Sequence, residues 1–178
     1  MANRAFVVRG TSIGLSDMME KDQPLFRSWL ANNEELRRLI DDSRIPTEED
    51  QARWFDRCKQ PDRRFFSILT TDGRLIGNCG LVDIDREAGT SVLRVTIGDS
   101  EALGKGYGTE AVSLLLWYAF HELPMHAVSL RVLLHNTRAI RAYEKAGFRP
   151  TGEAKSSGGE PELIMTIRAA DFSSPLLS

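Results

Sequence analysis

The sequence predicts a mixed α/β (α+β) domain, and three observations carry that class. Asp72-Gly73 joins two runs of strand-forming residues. Three alternating glycines, Gly104, Gly106 and Gly108, stand between a strand-like and a helix-like stretch. Beyond residue 109, segments with helical and strand periodicity alternate, which requires a parallel crossover attached to an antiparallel meander. At 178 residues, one domain spanning 1–178 with a single sizeable core is expected.

The elements follow in order. Phe6 to about Leu15 mixes β-branched residues with Gly10 and Gly14 and reads as one extended strand or an irregular hairpin. From Asp22, a candidate N-cap, Leu25, Phe26, Trp29 and Leu30 recur at helical spacing. Leu36, Leu39 and Ile40 continue the helical pattern to about Asp42. Pro46-Thr47-Glu48-Glu49-Asp50 then opens another helix, which buries Phe55 and Cys58.

Arg64–Thr71, Arg74–Asp83 and Ser91–Gly98 read as three meander strands, with Asp72-Gly73 as a hairpin turn because both residues tolerate positive φ. Thr109–Glu122 carries Ala111, Leu114, Leu115, Tyr118 and Ala119 on one helical face, and Pro124 ends it. Val128, Leu130 and Val132 alternate in a strand. Asn136 caps a short helix bearing Ile140 and Tyr143, and Gly147 stops it at C′. Phe148–Glu153 and Glu162–Arg168 are the last strands expected.

Composition excludes several function classes. The net charge is −2, and no window gathers Lys and Arg with interleaved aromatics, so nucleic acid is not an expected partner. No stretch has the length of a membrane span or the form of a leader, so no membrane partner is expected and the cytoplasm is the default compartment. The two cysteines, Cys58 and Cys79, lack C-x-x-C spacing and read as reduced structural thiols. His121, His126 and His135 fall in no ligand pattern, so no metal site is expected. The chain is expected to act alone or as a simple oligomer such as a homodimer.

The run Leu103-Gly104-Lys105-Gly106-Tyr107-Gly108-Thr109 is the most informative. Its glycines remove Cβ atoms where the backbone turns, and the following helix aims unpaired N–H groups at that turn, an arrangement suited to phosphate. A turn with no ligand is the plain alternative. The spacing of a P-loop is absent. Gly106-x-Gly108-x-x-Ala111 has the form of a dinucleotide fingerprint, but the following strand ends in Leu133-Leu134-His135 with no ribose-binding acid.

Gly104–Ala111, followed by Asn136-Thr137-Arg138-Ala139-Ile140-Arg141-Ala142-Tyr143-Glu144-Lys145-Ala146-Gly147-Phe148, resembles the two signature blocks of the GNAT N-acetyltransferase superfamily. The branch it is most similar to includes ribosomal-protein alanine and spermidine acetyltransferases and some antibiotic acetyltransferases. The resemblance implies a mostly antiparallel sheet of about six to seven strands with one parallel, splayed pair, flanked by helices. It also implies acetyl-CoA as co-substrate and a small-molecule amine or a peptide N-terminus as acceptor.

By that resemblance, Leu103, Gly104, Lys105, Gly106, Tyr107, Gly108 and Thr109 hold the CoA pyrophosphate, with Leu103 replacing the family's Arg or Gln. Val95, Thr96 and Ile97 match the strand whose main chain pairs with the pantetheine arm and polarises the thioester carbonyl. Asn136 matches a contact to that arm, although a plain helix N-cap explains it equally. Tyr143 matches the general acid for the CoA thiolate, against the alternative of a core aromatic one turn from Ile140.

Many members of this branch carry a Glu where this chain has Val92, which leaves Asp83, Asp85 or water as candidate base. The resemblance therefore admits a second reading, a non-catalytic acyl-CoA-binding module. Acceptor choice is assigned to the N-terminal helices and the 83–90 turn. The acids Asp41, Asp42, Glu48, Glu49, Asp50, Asp83, Asp85 and Glu87 lie there, compatible with a cationic acceptor or with solvated helix starts.

Overall fold

The computed structural model describes residues 4–40 and 44–174. One sheet of eight strands organises it: β1 (Val8–Arg9), β2 (Ile13–Asp17), β3 (Arg64–Thr70), β4 (Leu75–Asp85), β5 (Thr90–Ile97), β6 (Ala127–Leu133), β7 (Arg149–Lys155) and β8 (Pro161–Arg168). The spatial order is β1-β2-β3-β4-β5-β6-β8-β7, antiparallel throughout except for the parallel pair β5–β6. The eighth strand arises because the first segment folds back on itself: the Gly10 amide donates to the Ile13 carbonyl at 2.9 Å, and Val8 comes opposite Leu15.

Among the described residues, five α-helices lie on the two faces: α1 (Gln23–Asn32), α2 (Glu34–Leu39), α3 (Glu48–Arg57), α4 (Tyr107–His121) and α5 (Thr137–Lys145). Helix α4 is the connection that a parallel β5–β6 pair requires. Its Ala111, Leu114, Leu115 and Leu116 are fully buried against Ile13, Leu15, Phe66, Ile68, Cys79, Leu81 and Leu93. Each such leucine contributes roughly 2 kcal/mol of burial free energy. Side-chain alternation along the strands sends Phe65, Val82 and Val92 to the other face, where they pack with Trp54, Cys58 and Met18. Phe26, Trp54 and Phe65 follow one another edge to face, with centroids 6.0 and 5.7 Å apart.

Local departures from expectation have identifiable causes. Asp22 does not cap α1. Its buried carboxylate accepts from the Arg4 guanidinium at 2.7 and 2.9 Å, from the Ser67 hydroxyl at 2.7 Å and from the Met19 amide at 2.9 Å. The helical pattern expected to run to Asp42 breaks at Asn33, which turns extended (φ −135°) and caps α2 by accepting from the Leu36 amide at 2.9 Å. Arg37 folds back to donate to the Leu30 and Ala31 carbonyls that end α1. Residues 41–43 lie outside the described residues.

Thr47 caps α3 as expected, in a reciprocal pair with Asp50 (3.1 and 3.0 Å). The Asp72-Gly73 hairpin is closed by Thr70 and Arg74, with Gly73 at φ +91°, so its loop also includes Thr71. Strand β7 starts one residue later than expected because the Phe148 amide is used to close α5 on the Tyr143 carbonyl. Cys58 and Cys79 are both buried and free.

Candidate functional site

The site originates where the parallel pair separates. Thr90, Ser91 and Val92 of β5 face Ala127, Val128 and Ser129 of β6, and pairing ends there. From Leu93 to Ile97, β5 stays hydrogen-bonded to β4 alone, leaving one side of its main chain open for roughly 16 Å at strand rise. The Gly98 amide donates to the Ile76 carbonyl at 3.0 Å. The two-residue alternation of an antiparallel ladder then directs the main-chain groups of Thr96 toward β4, and those of Val95 and Ile97 into the opening.

Just beyond lies the glycine turn. A 3₁₀ turn, Ser100–Ala102, leads into Leu103, and Gly104 and Gly106 both take left-handed φ (+74° and +81°). Nothing lies within 4 Å of where a Cβ on either would stand, and a Cβ on Gly108 would meet only Ile97 Cγ1 at 3.8 Å. Gly106 is the N-cap of α4, whose first intrahelical bond runs from the Glu110 amide to the Gly106 carbonyl at 3.0 Å. The Tyr107, Gly108 and Thr109 amides ahead of it therefore have no intrahelical acceptor.

The exposed Lys105 adds a positive charge at this turn, while Leu103, Tyr107 and Thr109 are half-buried around it. Glu110, the acid in the first helical turn, points elsewhere: its carboxylate accepts from the Ser12 amide at 2.9 Å and lies against Gly10. Open amides, open space and a cation suit a pyrophosphate, and the unpaired edge of β5 suits an amide-bearing arm. The residues present thus fit acyl-CoA.

Asn136 and Tyr143 lie on the segment that follows β6. The Asn136 side chain accepts from the Ala139 amide at 3.2 Å, which makes it the N-cap of α5. Tyr143 is 8% exposed, with its ring edge-on to Phe148 at 5.9 Å, and its hydroxyl makes no hydrogen bond among the described residues. Burial pushes its phenol up to about 12, while the Arg94 charge acts in the opposite sense.

Val92, where the resemblance led to the expectation of a glutamate, is packed among Cys58, Phe65 and Val82. Asp85 is committed to the Glu87 and Ala88 amides at 3.0 and 2.9 Å, in the turn at the closed end of the β5–β6 pair. Asp83 sits exposed at the adjoining bulge with φ +50°. The sequence assigned no site role to Arg94, Trp29 or Glu110. Trp29 packs on Gly98 so closely that a Cβ there would lie 2.1 Å from Cε3 of the indole. Strand alternation alone flags Arg94, as a charge within an otherwise apolar or neutral strand.

Residues 13–149 match the acetyltransferase (GNAT) domain family. The chain belongs to the GNAT family. The enzyme class of the matched domain is acyl-CoA-dependent N-acetyltransferase, with acetyl-CoA as co-substrate. Over 103 residues the chain is 38% identical to the probable N-acetyltransferase YjcK of Bacillus subtilis, which covers 57% of each chain. Over 147 residues it is 26% identical to the prophage-derived uncharacterized N-acetyltransferase YokL of the same organism, covering 82% of this chain and 81% of that one. In fold, this GNAT domain is similar to the spermidine N-acetyltransferase of Vibrio cholerae crystallised with CoA and spermine. The TM-score is 0.81 at 20% identity, over 90% of this chain and 97% of that one.

Proposed function

We propose that the protein transfers the acetyl group of acetyl-CoA to a primary amine by direct attack in a ternary complex. The observation that carries this reading is the parting of β5 from β6 at Val92 and Ser129, beside a glycine turn with open amides. In this reading Gly104 to Thr109 bind the pyrophosphate, with Leu103 flanking it, and the open Val95 and Ile97 main-chain groups hold the arm. An amide on that strand donates to the thioester oxygen as charge develops there. Thr96, whose main chain is taken by β4, lines the opposite face through its side chain. Asn136 positions the start of α5 beside the arm.

Tyr143 supplies the proton to the departing thiolate. Its raised pKa keeps the phenol protonated across the physiological range, so a donor is always present. A thiol in water ionises near ~8.5, so complete transfer from a phenol at about 12 runs uphill until burial raises the sulfur's proton affinity as well. The phenol therefore begins as a hydrogen-bond donor to the sulfur and gives up its proton late. Neither buried cysteine competes as a nucleophile: burial pushes Cys58 up to about 12 and raises Cys79 further. With Val92 unable to act as a base, the acceptor's proton leaves to water.

A thiol-release assay with acetyl-CoA against amino acids, polyamines, aminoglycosides and peptides tests this reading. Turnover of at least one amine is expected. CoA binding without turnover on any acceptor would favour the non-catalytic acyl-CoA-binding module, which the aliphatic Val92 at the base position would suit.

A further inference from the structure

We propose that the acceptor taken by this site carries a carboxylate or comparable anion within a few bonds of its amine, and that Arg94 is the residue that binds it. This rests on the acetyl-transfer reading and extends it to the substrate class.

Arg94 stands two residues beyond Val92, the last residue of β5 paired with β6, and so at the start of the opening. Alternation along β5 puts Leu93, Val95 and Ile97 with the core beneath α4, and Arg94 with Val92 and Thr96 on the opposite face, where Trp54 of α3 packs near Val92. An amine approaching a thioester lodged in the opening from that face meets Arg94.

The surroundings of Arg94 leave its charge uncompensated. It is exposed and makes no ion pair or hydrogen bond among the described residues. Among the other arginines of the strands, Arg64 pairs with Asp17 and Arg131 with Glu162, while Arg9, Arg149 and Arg168 make no ion pair among the described residues, so what distinguishes Arg94 is its place at the start of the opening. Opposite Arg94 is Gly80, whose missing side chain is replaced by the Phe65 ring, 2.6 Å from where a Cβ would stand. The diagonal neighbours on β4 are Asn78 and Val82, and along β5 they are Val92 and Thr96. Farther out stand Trp54 against Phe65 and Trp29 on Gly98.

None of these neighbours is acidic. A lone guanidinium with neutral, partly aromatic walls is a carboxylate or phosphate receptor, with a planar fork that takes two oxygens at once. The same charge repels an acceptor carrying a second ammonium. Likeness of fold to an enzyme crystallised with spermine therefore does not extend to a polycationic acceptor here. Several acids on the helical face serve other ends: Glu34 and Glu35 open α2, Glu48 pairs with Arg27, and Asp50 pairs with Arg53, while Glu49 stands exposed in the first turn of α3.

Three four-carbon amines that differ only at the far end test the proposal: γ-aminobutyrate, n-butylamine and putrescine, ending in carboxylate, methyl and ammonium. Thiol release gives kcat/KM for each, and calorimetry on the CoA-saturated protein gives their affinities independently of turnover. The wild type is expected to favour γ-aminobutyrate over putrescine at least tenfold, about 1.4 kcal/mol. Arg94→Gln should abolish that preference and Arg94→Glu should invert it, with unchanged CoA affinity showing that the fold is intact. Equal or greater preference for putrescine, no carboxylate preference in either rate or binding, or a preference that survives Arg94→Glu would overturn the proposal. Carboxylate-selective binding without turnover would leave Arg94 as the anion receptor and overturn the catalytic reading instead. Failure of CoA itself to bind would overturn both.

Discussion

Val92 and Ser129 are the last residues at which β5 and β6 face one another, and everything assigned to the site lies on the open side of that pair. If the opening and the adjoining glycine turn are a CoA site, CoA and acetyl-CoA should raise the melting temperature by mass action. At a concentration a hundredfold above Kd, the stabilisation is about 2.7 kcal/mol. For a chain of this size that corresponds to a shift of roughly 5 to 10 °C in differential scanning fluorimetry. NAD and ATP, which share phosphates but have no pantetheine arm, should shift it far less. Equal shifts from all of them would mean a generic anion site at the start of α4.

Gly106→Val tests the turn itself. At φ +81° a β-branched residue is strained, and its side chain projects into space that is now open. The substitution is expected to weaken CoA at least tenfold in isothermal titration while lowering stability by about 1–3 kcal/mol. Unchanged CoA affinity would show that the pyrophosphate rests elsewhere.

Tyr143→Phe separates the proton donor from the core aromatic. The hydroxyl has no hydrogen-bond partner among the described residues, so its removal leaves none of them unpaired, and the melting temperature should scarcely move. A general acid predicts a loss of kcat on the order of 10²-fold with CoA binding intact, read under single-turnover conditions so that product release does not mask it. Retention of more than about a third of the rate would leave Tyr143 as packing only.

Alkaline stability has a sign fixed by burial. Cys58 and Tyr143 move up to about 12 from ordinary values of 9.0 and 10.0, so the folded chain holds these protons more tightly than the unfolded chain. Their stabilising contribution is complete below about pH 9 and is lost as pH rises toward 12, by up to about 1.4 kcal/mol per pH unit for each group. Urea midpoints should therefore fall between about pH 9 and pH 11, and the fall should be shallower in a Cys58→Ala, Tyr143→Phe double variant. An equally steep fall in that variant would assign the effect to other groups.

What could be read from the sequence divides along local and non-local lines. Gly104 to Thr109, Thr47 with Asp50, and Gly147 each do their work within a few residues, and each carries a readable signature. Asp22 deceived because a helix cap and the carboxylate of a buried ion pair are spelled alike; only the folded chain brings Arg4 and Ser67 to it. The break between α1 and α2 had a local cue, Asn33 followed by two glutamates, which the continuing apolar pattern concealed. Arg94 gains its meaning from where β5 stops pairing with β6, a fact of register between strands joined through the whole of α4.

The bond from the Ser12 amide to Glu110 makes the amino-terminal hairpin and the start of α4 one mechanical body. Without it, the Ser12 amide would lose its acceptor and the first turn of α4 would lose its tie to the edge of the sheet. If the glycine turn holds CoA, tags, fusions or truncations that disturb residues 8–17 would consequently register as a change in CoA affinity, at a place in the chain nearly a hundred residues from the glycines concerned. For anyone preparing this protein, the choice of where to attach a handle is thus also a choice about the glycine turn.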